Sequence, residues 1–138
     1  MDLFSLQWLL GDKIVSAKYD ENANAWSLYF HSGACLYIEC LWRLLEENKV
    51  LSTSEDHGHL FGSPEAFDGA AALTLMNAYP VAVVTVREGT QDLIIKFGDF
   101  FVLEVLVSSA GYASRSVFHP DRGAVFSQAG RLYSDHEP

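Results

Sequence analysis

The sequence is short of positive charge: nine Lys and Arg stand against 18 Asp and Glu, a formal net charge of −9. Affinity for nucleic acid rests on neutralising phosphates with Lys and Arg, so nucleic acid is not an expected partner. Arg115, Arg122 and Arg131 are spread along the chain and form no basic cluster. The same balance disfavours anionic membrane surfaces. No apolar run approaches the ~20 residues that span a bilayer. The first ten residues are apolar but lack a basic segment and a small-residue cleavage site, and they read as structure, not as a signal peptide. Cysteine is scarce as well. Cys35 and Cys40 fall in one predicted strand, where a rise of roughly 3.3 Å per residue holds them about 16 Å apart. A disulfide needs Cα atoms within about 7 Å, so the two are not expected to pair. Reduced thiols in a cytoplasmic protein are the simplest account. There is no glycine-rich phosphate loop and no Gly-x-Ser-x-Gly elbow.

What is present suits one domain over residues 1–138. The chain is 49% hydrophobic and 13% aromatic, enough to bury a core. Leu3, Leu6, Leu9 and Leu10 have the spacing of a short helix over 3–10, stopped by Gly11. A strand from Ile14 to Tyr19 and a turn at residues 20–24 follow. Trp26, Leu28 and Phe30 then alternate with Ser27, Tyr29 and His31. Past Ser32-Gly33, the residues Leu36, Ile38, Cys40, Trp42 and Leu44 make one apolar face of a long strand. Period-two alternation with one wet face marks an antiparallel sheet. Residues 52–63 read as a polar loop. Ser63-Pro64-Glu65 then carries the signals of a helix start, and Pro80 closes that helix. Strands are predicted at Val81–Glu88, over 93–97 and at Phe100–Val107, with two short ones at Arg115–His119 and Gly123–Ser127. Residues 134–138 are expected to fray.

The two halves share a plan. Ile14 aligns with Val81, Trp26 with Leu93, Leu28 with Ile95 and Phe30 with Phe97, all 67 residues on. A two-residue gap after Phe30 and Phe97 then places Glu39 on Glu104. The expected fold class is therefore α+β: two similar helix plus three-stranded antiparallel meander units, over about 3–51 and 64–109, packed as one domain. On that alignment the face that carries Tyr37, Glu39 and Arg43 carries Phe100, Val102 and Leu106 in the second half. Such a face calls for a cover, either intramolecular or a second copy in a homodimer.

Reactive side chains concentrate at Glu55-Asp56-His57-Gly58-His59. His57 and His59, at i and i+2 beside carboxylates, are candidate metal ligands. A structural role is the commoner reading of such a loop: Asp56 accepts loop amides and Phe61 anchors the loop to the core. Arg43 is a candidate for binding a carboxylate or phosphate, or for pairing across the sheet with Glu39 or Glu104. Tyr112, in the small polar segment 108–114, is a further binding candidate or packs beside a sheet edge. No cofactor is expected.

Trp42-Arg43-Leu44, Asp56-His57-Gly58, the Asp92–Phe97 segment and Gly111-Tyr112 together resemble a family of small bacterial domains of unknown function. Where that family carries a Trp after its Gly-Tyr pair, this chain has Arg115 or Ser116. The resemblance implies a bacterial cytoplasmic domain with no established activity. Small acidic domains of this kind are similar to immunity proteins of contact-dependent toxins. The expected function is thus a non-enzymatic, immunity-like protein-interaction domain binding a protein partner or itself. The alternative is a small-ligand or metal-binding module using the 52–63 loop. A hydrolase built from His57, His59 and acidic residues is a third class.

Overall fold

Eleven strands carry the fold of a computed structural model that describes residues 5–128 and 131–134. In order they are β1 (Ile14–Asp20), β2 (Ala25–Phe30), β3 (Cys35–Ile38), β4 (Leu41–Glu46), β5 (Lys49–Thr53), β6 (Val81–Val86), β7 (Leu93–Phe97), β8 (Phe101–Leu106), β9 (Ala113–His119), β10 (Gly123–Gln128) and β11 (Arg131–Ser134). They form two antiparallel sheets, β1-β2-β3-β9-β10-β11 and β5-β4-β8-β7-β6. Their inward rows share one core that includes Leu28, Leu36 and Ile38 from the first sheet and Trp42, Ile95 and Leu103 from the second.

The expected α+β class is wrong: the chain is mostly β, with a single helical run of ten residues among the described residues. That run is α1 (Gly69–Leu73), which tightens into a 3-10 turn at Thr74–Ala78. It starts later than the Ser63-Pro64-Glu65 signal suggests because Asp68 is the cap, accepting from the Ala70 and Ala71 amides. Ser63 instead closes a local turn onto the Glu65 amide, and Phe67 pairs its backbone with His59. Near the N-terminus the described residues form only a 3-10 turn, at Gln7–Leu9. Leu3 and Phe4 of the expected first helix lie outside the described residues, as do residues 135–138 of the tail expected to fray; Ser134 of that tail instead ends β11.

The long strand expected across 35–44 is two strands in different sheets. The chain bends at Glu39 and Cys40, where the Glu39 amide still bonds the Ser114 carbonyl. The alternation continues through the bend, so Leu36, Ile38, Trp42 and Leu44 are all fully buried. β4 then turns into β5 through Glu47 and Asn48, both at positive φ (50° and 65°). Two successive left-handed residues make the tight hairpin turn that suits the twist of paired strands.

Each three-stranded meander hands its continuation to the other sheet. β3 leads into β4, which pairs with β8; β8 leads into β9, which pairs with β3. The ladders recur closely. Ile14 faces Phe30 and Val81 faces Phe97, and each ladder carries a bulge at its second residue. Leu28 faces Leu36 and Ile95 faces Leu103. The offset therefore stays at 67 through the third strand, and the two-residue gap expected after Phe30 and Phe97 is wrong. The register sets Tyr37, not Glu39, in the place of Glu104. On that outer face Val102 and Leu106 are half-buried, while Phe100 is 46% exposed.

Candidate functional site

The crossing at Glu39–Cys40 opens a cleft of about 460 Å³. β1 and β2 supply Tyr19 and Trp26, with Asn24 from the turn between them. The crossing supplies Glu39, Cys40 and Leu41. The segment after β5 supplies Ser54, Glu55, His57 and His59, and Ser108 comes from the link after β8. Of the expected site residues, the cleft gathers Glu55, His57 and His59. Arg43, Asp56 and Tyr112 are not among its lining.

The segment after β5 is set by its own hydrogen bonds. Thr53 and Asp56 form a capping box: the Thr53 amide donates to Asp56 Oδ2 at 2.9 Å, and Thr53 Oγ1 accepts from Glu55. Asp56 thus accepts a backbone amide, as one reading of the sequence expects. The other half of that reading fails, because Phe61 is 71% exposed and anchors nothing. Its ring lies instead against that of His59, with centroids 5.7 Å apart.

His57 is held on two sides. Its Nδ1 accepts from the Gly69 amide at 3.0 Å, so the ring proton sits on Nε2 while that bond lasts. Its ring packs against Tyr19 (4.4 Å) and Trp26 (5.0 Å). Tyr19 is fixed in turn by its hydroxyl, which donates to Asn24 Oδ1 at 2.8 Å. Trp26 stands edge-on to Trp42 at 5.2 Å, which ties the cleft wall to both sheets. Among the described residues, no three His, Cys, Asp or Glu side chains gather as a metal site requires.

Arg43 serves the sheet. It sits opposite Glu104 in the β4–β8 ladder, and its Nε donates to Glu104 Oε1 at 2.6 Å. The bond to that carboxylate raises the already high pKa of the guanidinium. Of the two partners expected for it, Glu104 is the one found. Tyr112 does not pack beside a sheet edge; it is 81% exposed, in a turn where Ser109 Oγ accepts from the Gly111 and Tyr112 amides.

Cys40 has the look of a nucleophile in a cleft, and its surroundings deny it that role. Burial pushes its thiol up to about 12, although Arg115 pulls the other way. Arg115 is itself buried; burial brings it down to about 10, and it donates to the Gln91 carbonyl. At pH 8 a group with a pKa of about 12 is thiolate to only about one part in ten thousand, against roughly one part in ten at an unfolded pKa near 9. In a Cys35→Ser background, labelling of Cys40 by a thiol-specific disulfide reagent at pH 8 should therefore run about 30- to 60-fold slower in the folded chain than in urea, since the greater nucleophilicity of a more basic thiolate offsets part of the roughly thousand-fold loss of thiolate. Equal rates would show that the thiol is not protected.

Sequence reasoning missed Tyr19, Asn24, Trp26, Glu39, Cys40 and Ser108 as cleft residues. The one available signal was the dense turn 20–24, which marks where a wall ends but not what faces it. Compared with known protein families, curated proteins and solved structures, the chain matches none. Among the described residues, no helix is long and apolar enough to cross a membrane.

Proposed function

We propose that this chain is a non-enzymatic cytoplasmic interaction domain of the immunity-like kind, which receives a protein partner at the cleft beside the 54–59 segment. The observation that carries the reading is the state of the groups in that cleft. His57 gives its Nδ1 to the Gly69 amide, Ser54 accepts from the Trp42 amide, and Cys40 is held as a thiol. Groups spent on holding the fold are poor acids, bases or nucleophiles. Glu39, Glu55 and His59 are left exposed to meet a partner.

The immunity reading expects a toxin-like gene beside this one, and protection of a host that co-expresses the two. A Glu39→Arg/Glu55→Arg variant should lose most of that protection at an equal level of folded protein. Gene neighbourhoods empty of toxins across many genomes would contradict the reading. A small-ligand module remains the second reading, favoured by one observation: about 460 Å³ lies within the range of small-molecule sites.

We also read the recurrence between the halves as a duplication. The repeated ladders and bulges support it. So do backbone hydrogen bonds that recur 67 residues on: Asp12 to Leu9 with Tyr79 to Met76, and His31 to Lys13 with Gly98 to Pro80.

A further inference from the structure

The cleft's walls and its charge point to one kind of occupant. Tyr19, Trp26 and His57 form a cluster of three rings, with Tyr19 and Trp26 centroids 4.4 Å apart. Aromatic faces attract a cation that sits over them, and a planar guanidinium stacks on them as well. Two exposed carboxylates, Glu39 and Glu55, line the same cleft, and no Lys or Arg does. The wider surface has the same sign: Glu39 and Asp20 both raise the Tyr37 hydroxyl, after the effect of its burial. The nearby cation, Arg115, is 3% exposed and directed at the Gln91 carbonyl. The walls are also fixed before anything binds, because the Tyr19–Asn24 and His57–Gly69 bonds hold two of the rings. A cleft already in shape loses less freedom on binding.

Resting on the cleft as the partner site, we propose that it is a socket for an arginine side chain presented by a basic protein partner. The guanidinium lies against the open part of the half-buried Tyr19 ring, which the 2%-exposed Trp26 backs from behind, and donates to Glu39 and Glu55. A carboxylate accepts such a group through two parallel bonds, which is why arginine suits the site better than lysine. The net charge of −9 adds attraction for a basic partner at long range, and that part is screened by salt.

The test is a titration of the full, isotope-labelled chain followed by amide NMR shifts. The probe is N-acetyl-arginine methylamide; the control is the citrulline equivalent, which has the same shape without the charge. The proposal expects saturable shifts centred on residues 19–26, 39–41 and 54–59, with a Kd of about 1–10 mM, typical of a single isolated side chain. It expects citrulline to bind at least about tenfold more weakly. A Glu39→Gln/Glu55→Gln variant, folded by its own spectrum, should lose at least about tenfold for arginine. Equal binding of citrulline would overturn the arginine socket while leaving the cleft as a binding site. Shifts that do not saturate, or that centre away from the cleft, would overturn the socket. Loss of host protection on charge reversal, scored separately, would then still speak for the cleft as the partner site.

Discussion

Replacing Gly69 with alanine should destabilise the chain by about 2–3 kcal/mol, the upper part of the range for overpacking. Gly69 opens α1 and is buried. A Cβ there would overlap Cη2 of Trp26 and stand 2.9 Å from its Cζ3 and 3.3 Å from Cζ2 of Trp42. Those are ring atoms in a packed core, not the free end of a flexible side chain, so the helix start has to move away. Alanine's advantage over glycine inside a helix is about 1 kcal/mol, smaller than this steric cost. Moving the helix start would also pull the Gly69 amide off His57, loosening one wall of the cleft. Urea denaturation measures the loss. The cause is checked by Trp26→Leu: in that background Gly69→Ala should cost under about 1 kcal/mol, because the obstructing ring is gone. An undiminished cost there would place the strain elsewhere.

The second large effect concerns how the halves are joined. Leu36→Ala and Leu103→Ala should each cost about 2–5 kcal/mol. Both side chains are fully buried, and the two occupy corresponding places, one in each sheet. Because β4 lies beside β8 and β9 beside β3, neither sheet keeps its strands when one half lets go. Each variant should therefore unfold in a single transition at a lowered midpoint, with the calorimetric and van't Hoff enthalpies equal. Two transitions, only one of them shifted by Leu36→Ala, would mean that the halves are independent.

Much of the strand content is legible in the residues. Trp26, Leu28 and Phe30 alternate cleanly, and so do Leu93, Ile95 and Phe97; all six are buried as that alternation requires. The short strands near 115–119 and 123–127 are present with nearly the expected bounds. The crossing at Glu39–Cys40 was not legible, because the period of two runs on through it. A change of sheet that keeps the same side facing the core leaves no mark in the pattern. The helix start was misjudged for a local reason: two signals compete within six residues, and Asp68 captures the amides. The β4–β5 hairpin was missed because Glu47-Asn48 is a weak spelling of a turn usually written with glycine.

For the candidate site, sequence concentration found one wall only. Glu55, His57 and His59 are close in the chain and share the cleft. Their partners Tyr19, Trp26 and Glu39 arrive from strands and a crossing whose packing is not local. Arg43 and Tyr112 drew notice by residue type, yet Arg43 is occupied by Glu104 and Tyr112 stands out in solvent.

The exchange of strands between the sheets underlies both the single core and the cleft at the crossing, and strand pairing read by NMR tests it directly. The account predicts backbone cross-peaks between β3 and β9, around Leu36 and Val117, and between β4 and β8, around Leu44 and Leu103. Cross-peaks that pair β3 with β4 and β8 with β9 as hairpins would contradict it, and the cleft at Glu39–Cys40 would go with it.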